Sequence, residues 1–143
     1  MKLYTFINSY VSGIQVGIQA SHSIVEFMGK SKSPLMDRWF DHHKTFAWLD
    51  GGPNVAMNTS YELFKAAGLE PIKFEEPGMA GLLTAFSLIV HPTLQGEVDW
   101  VRSGDVVHNG GDTYIDRTSG EVTVLQYDFE VIKVLANARS KRL

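Results

Sequence analysis

Four polar side chains that could share one task stand close together near the start of the chain: Gln15, Gln19, Ser21 and His22. A second polar group, Glu75-Glu76-Pro77-Gly78, follows in the middle of the sequence. An imidazole can exchange a proton near neutral pH, and a carboxylate can orient a water or hold the imidazole in place. A primary amide can donate a hydrogen bond without carrying charge. Two glutamates held close and partly buried would repel, raising the pKa of one of them, which suits acid–base work. Each residue also has a plain structural alternative. His22 suits a core or helix-capping position, the two glutamates a solvated loop, and Gln15 the surface of a helix. Asp41-His42-His43 has metal-ligand residue types, but adjacent histidines on one loop rarely aim at one ion, so no metal site is expected. Asp50-Gly51-Gly52 and Asn109-Gly110-Gly111 read as turns rather than phosphate cradles, because no Gly-Lys-Ser/Thr follows either.

The elements that position these groups are legible from periodicity. Leu3 to Ile7 is aromatic and β-branched and predicts a buried strand. A Gly13-containing loop follows, then a helix from Ile14 to Met28, in which Ile14, Ile18, Val25 and Met28 recur at helical spacing. Leu35 to Phe40 predicts a short helix holding Trp39 and Phe40 inward, and Asp41 to Lys44 a loop. Thr45 to Leu49 predicts a second strand. A helix from Pro53 to about Ala67 should bury Val55, Tyr61, Leu63 and Phe64 and stop at Gly68. Pro71 to Glu75 begins a third strand. Leu82 to Val90 is the most apolar segment and is expected at the sheet centre. Beyond it, 98–101, 105–108, 113–116 and 121–125 are strand-like pieces between turn signals, which predicts hairpins, and Phe129 to Ala136 predicts a last amphipathic helix. The fold class expected is α/β: three layers, α/β/α, on a mixed four-stranded central sheet, with a β-hairpin insertion at about 96–125 in a single domain spanning 1–143.

Bulk properties narrow the class. The 143 residues are 44% apolar and include no cysteine, which predicts an ordered globule without disulfides or thiolate metal sites. The opening residues do not read as a signal peptide, and no apolar run is long enough for a membrane span, so a cytoplasmic protein with no membrane partner is expected. The net charge of −3 supplies no global attraction to nucleic acid, so an RNA contact needs a local basic patch. Lys30, Lys32, Arg38, His42, His43 and Lys44 form one weak basic cluster, and Arg139, Lys141 and Arg142 another. Each reads as a solvated rim or as a track of phosphate contacts.

In three places the chain resembles class II peptidyl-tRNA hydrolases. Gln19-Ala20-Ser21-His22 follows a strand and a glycine loop, like the Gln-x-x-His motif that opens that family's first helix. Lys65-Ala66-Ala67-Gly68-Leu69 is similar to the helix end before its third strand, and Glu75-Glu76-Pro77-Gly78-Met79-Ala80 stands where the family carries Asp-Ala-Gly-x-Thr. The similarity covers roughly residues 2 to 90, with the last helix as a further candidate. Carried over position by position, the family's lysine falls on Gln15, its aspartate on Glu76 and its threonine on Ala80, while Gln19 and His22 match. The resemblance therefore implies a divergent member with altered catalytic positions, a hydrolase of the ester between peptide and tRNA. It assigns Glu76 as water-orienting base, His22 as proton-transfer or phosphate-binding group and Gln15 as oxyanion donor, with Gln19, Ser21 and Gly78 as ligand contacts and no cofactor; Lys44, from the first basic cluster, is a further expected ligand contact. The competing reading is a catalytically inactive module (a pseudoenzyme) that holds RNA, another nucleotide-containing ligand or a protein. In that reading the hairpins expose Trp100, Tyr114 and Val106 as a partner or homodimer surface.

Overall fold

The computed structural model describes all residues, 1–143, and divides them into two compact units, 1–90 with 138–143 and 91–137. In the first unit, β1 (Lys2–Asn8), β2 (Thr45–Gly52), β3 (Ile72–Glu76) and β4 (Leu82–Val90) form one mixed sheet in the order β2-β1-β4-β3. β2 runs parallel to β1, and β4 is antiparallel to both β1 and β3. The interior strands β1 and β4 are the two with nearly continuous burial, as strands covered on both faces must be. Helices α1 (Ile14–Lys30) and α2 (Pro34–His42) cover one face, and α3 (Asn54–Ala66) the other. The expected α/β architecture is thus the one observed. No helix is long and apolar enough to cross a membrane.

The two faces are built differently. On the α3 side, Phe6, Phe64 and Phe86 pack as a ring cluster, with Phe6 and Phe86 stacked at 5.0 Å between centroids. Gly51 belongs to this face by necessity, because a Cβ there would strike the Met57 sulfur and crowd Phe6. On the α1 side the sheet presents hydroxyls. Thr5 Oγ1 lies 2.8 Å from Ser87 Oγ, and Ser23 Oγ of α1 lies 2.7 Å from the same Ser87 oxygen. Burying a hydroxyl without a partner costs free energy, so the helix turns a face with polar partners toward them. That face is Val16, Gln19, Ala20, Ser23 and Phe27.

This overturns one expectation. The stripe Ile14, Ile18, Val25 and Met28 does recur at helical spacing, but it lies on the solvent side of α1, with Ile14 81% exposed. Val55 of α3 is likewise exposed, while Met57 takes the buried position. Asp41 and His42 end α2 rather than lying in a loop.

The second unit holds α4 (Pro92–Ser103), the antiparallel sheet β5-β6-β7 (Val106–Gly110, Thr113–Asp116, Val122–Val124) and α5 (Phe129–Asn137). The expected strand at 98–101 is helix instead. His91 Nδ1 accepts a hydrogen bond from Thr93 N, Pro92 occupies the first turn, Leu94 and Val98 bury at i and i+4, and Gly104 ends the helix at φ 80°. The unit thus contains two helices besides the strands. Trp100, Tyr114 and Val106 are not the exposed surface expected: Tyr114 is only 1% exposed, Val106 is buried and Trp100 is partly buried. Instead Tyr114 closes a core with Phe129 and with His108, which stacks on Phe129 at 3.8 Å.

The Tyr114 hydroxyl is buried with no hydrogen-bond partner, and burial pushes its pKa up. Removing an unsatisfied buried group without changing the packing relieves its desolvation cost. Tyr114→Phe is therefore expected to leave thermal stability unchanged or to raise it by about 1 kcal/mol. Thermal melts of the two proteins read this directly, and a destabilised Phe variant would show that the hydroxyl has a partner.

Candidate active site

The site is assembled by one helix face and one strand end. Positions 15, 19 and 22 lie at i, i+4 and i+7 of α1, so Gln15, Gln19 and His22 share a side of the helix. Alternation along β3 sends Ile72, Phe74 and Glu76 toward α1, and Lys73 and Glu75 the other way. The pairing of β3 with β4 slips beside the site: Phe74 pairs with Ala85 but Glu75 with Leu83, leaving Thr84 between the two pairs. Such a bulge re-aims one side chain. Thr84 Oγ1 reaches Gln19 Oε1 at 2.6 Å.

Gln19, 2% exposed, is the hub. With Thr84 donating to its carbonyl oxygen, its amide nitrogen must face outward. It donates to Glu76 Oε2 at 3.1 Å and to Gln15 Oε1 at 3.4 Å. Gln15 thus accepts through its oxygen, and its amide nitrogen forms no hydrogen bond within the chain, while the residue lines the cleft. Gly78 N donates to the other Glu76 oxygen at 3.1 Å. His22 Nδ1 lies 3.6 Å from Glu76 Oε2, with side-chain exposures of 47% and 19%, and its ring packs on Phe74 at 4.7 Å. A carboxylate facing Nδ1 favours the tautomer with its proton there and leaves Nε2 as the acceptor.

Hydrogen bonding sets the charge of Glu76. The Gln19 amide and then the Gly78 N–H hold its carboxyl below the usual range, partial burial opposes them, and His22 adds a smaller pull in the same direction. The expected repulsion between neighbouring glutamates does not arise, because Glu75 turns away and pairs with Lys73 at 3.3 Å. A depressed carboxylate contributes stability that is complete above its unfolded-state pKa and is lost as the pH falls through the folded value. Wild type should therefore lose more stability than Glu76→Gln as the pH drops below the ordinary carboxylate range. Melting temperatures of the two proteins across that range check the sign, and parallel curves would contradict it.

Gln15, Ile18, Gln19, His22, Glu76, Gly78 and Met79 line a cleft of about 270 Å³. Ser21 lies beside it, in an adjoining groove of about 430 Å³ with Ile14, Gly17, Ile18, His22 and Trp48. Six of the seven residues singled out in the sequence therefore meet at these two neighbouring hollows. Lys44 does not. It sits at φ 49° after α2, with its ammonium 4.9 Å from the Phe40 ring centroid, and lines neither hollow. Lys30, in the same basic cluster, is paired with Glu26 at 2.6 Å. Ala80 follows the 3-10 turn Pro77–Met79 in a left-handed conformation, φ 55°, which costs a non-glycine residue roughly 1–2 kcal/mol.

Sequence reasoning missed Thr84, Phe74 and Trp48. Thr84 had a visible signal, a hydroxyl inside an otherwise apolar run, which needs a partner once buried. Trp48 had none beyond strand alternation. No protein-family model matches the chain, and no curated protein matches its sequence.

Proposed function

We propose that this protein is a divergent peptidyl-tRNA hydrolase that cleaves the ester bond between a peptide and tRNA, with His22 as general base, Glu76 as its positioning carboxylate and Gln15 as oxyanion donor. The observation that supports this reading is the convergence of Gln15, Gln19, His22 and Glu76 at one solvent-open cleft from two distant stretches of chain. Glu76 makes a weak base, because hydrogen bonds from Gln19 and Gly78 lower the affinity of its carboxylate for a proton. It suits the orientation of His22 better. His22 Nε2 takes a proton from water as the water oxygen attacks the ester carbon. The oxyanion so formed meets the Gln15 amide. The C–O bond to the ribose then breaks, and the imidazolium returns its proton to the ribose oxygen. The products are tRNA with a restored hydroxyl and a free peptide acid, which gives its proton to solvent and leaves as the carboxylate. The Gln15 amide carries no charge, so oxyanion stabilisation is weaker than a lysine would give.

The charge distribution favours an anionic substrate more than the whole-chain balance indicates. The unit that carries the cleft has ten Lys and Arg against eight Asp and Glu. The unit 91–137 has three against eight, so it holds the acidic excess.

The test is single-turnover cleavage of a peptidyl-tRNA by excess enzyme, comparing wild type with His22→Ala and Glu76→Gln. Release of peptide by wild type and its loss in both variants is the expected result. No release by wild type sinks the hydrolase reading. Salt-sensitive tRNA binding in that case identifies the binding-module alternative.

A further inference from the structure

The last residues of the chain return to the sheet. Asp50 N donates to Arg139 O and Lys141 N to Trp48 O, both at 2.9 Å, and Leu49 bridges Ser140 in antiparallel register. The tail 139–141 thus covers the free edge of β2, and its pairing is made by backbone atoms. Side chains are left available, and three of the four from Arg139 to Arg142 are cationic. With Asp50 they line a hollow of about 490 Å³. Asp50 is already engaged, accepting from Ser9 Oγ at 2.8 Å and Gly52 N at 2.9 Å. Lys141 is partly engaged, its Nζ 3.4 Å from Ser9 O. Arg139 and Arg142 are exposed and have no partner in the chain.

Trp48 connects this basic hollow to the cleft. It stands two residues before Asp50 on β2, so both side chains point to the α1 face, about 7 Å apart along the strand. Trp48 also lines the groove that shares Ile18 and His22 with the cleft. The hollow that holds the two guanidiniums also includes Asp50, two residues from the exposed Trp48 indole, and Trp48 lines the groove that reaches His22 of the His22–Glu76 pair. Cations that track a backbone next to an aromatic platform are the elements of a single-stranded nucleic-acid site.

We propose that the tail strand and Trp48 form the binding site for the single-stranded end of an RNA, with Arg139 and Arg142 on its phosphates and a base stacked on the Trp48 indole. This rests on the cleft being a tRNA-ester site, and it assigns the surface along which the acceptor end reaches His22. An acidic peptide would satisfy the guanidiniums but would not use the indole as a stacking surface.

The probe is a short single-stranded RNA ending in adenosine, without an ester, titrated against the full chain at several salt concentrations. Wild type should bind with a salt-dependent affinity. Arg139→Gln/Arg142→Gln should lower the slope of log affinity against log salt by about 1.4, from the loss of two contacts on a single strand. Trp48→Ala should weaken binding at least roughly fivefold with the slope unchanged, and Trp48→Phe should restore most of it. Because the two arginines are exposed and unpaired, their replacement leaves the fold intact, and matching melting temperatures verify this. Affinity and slope unchanged in both variants overturn the proposal, as does equal affinity for polyglutamate. RNA binding with these mutational signatures but no ester cleavage supports the tail site and refutes the hydrolase reading. Cleavage that survives the tail and Trp48 changes with unaltered RNA affinity refutes the tail site alone.

Discussion

Replacing His22 with alanine is expected to slow single-turnover release of peptide by roughly 10²- to 10⁴-fold, the range that a positioned acid–base group contributes. The size follows from what the cleft has left without the imidazole. Glu76 is a weak substitute as base, because the hydrogen bonds from Gln19 and Gly78 lower the affinity of its carboxylate for a proton. Gln15 offers an amide donor but no proton acceptor strong enough to activate water. Affinity for tRNA should change little, since His22 is one edge of a surface whose cations lie elsewhere. The loss should therefore fall on the rate at saturating enzyme and not on the concentration needed to saturate it. Glu76→Gln should fall between wild type and His22→Ala, because it removes the orientation of the base and not the base itself. A His22→Ala rate within a factor of two of wild type would remove His22 from the mechanism.

The largest stability effect is expected at Phe86. Its ring has no solvent exposure and touches three others: Phe6, stacked at 5.0 Å, Tyr61, edge-on at 5.8 Å, and Phe64 at 6.0 Å. These rings join β1, β4 and α3. Truncation to alanine removes most of the buried side chain and opens a cavity that strands paired on both sides cannot close. A cost of about 3–5 kcal/mol follows. Urea unfolding followed by tryptophan fluorescence measures it. Phe86→Leu should cost much less, since it preserves most of the apolar volume. Val55→Ala on the exposed side of α3 should change stability by less than about 0.5 kcal/mol. Equal effects at positions 55 and 86 would contradict the placement of the core on this face.

Both predictions depend on which side of an element a residue occupies, and there the sequence and the tertiary structure contribute differently. Periodicity alone determined that α1 exists and where it lies. It also put Gln15, Gln19 and His22 on that helix, since their spacing repeats with the helical turn. The apolar run from Leu82 to Val90 likewise marked an interior strand, because only a strand covered on both faces can bury every residue.

Which face of α1 turns inward was not in the local pattern. Two stripes share the helical period, 14-18-25-28 and 16-19-20-23-27, and the first is the more apolar. The second is buried because Ser87 and Thr84, far along the chain, present hydroxyls that require Ser23 and Gln19 as partners. Hydrophobicity is a property of one residue, whereas satisfaction of a buried hydroxyl is a property of a pair. The same distinction explains the rest. The one-residue slip that exposes Thr84 to Gln19, and the return of residues 139–141 to the edge of β2, are backbone pairings between distant segments, so only the folded chain decides them.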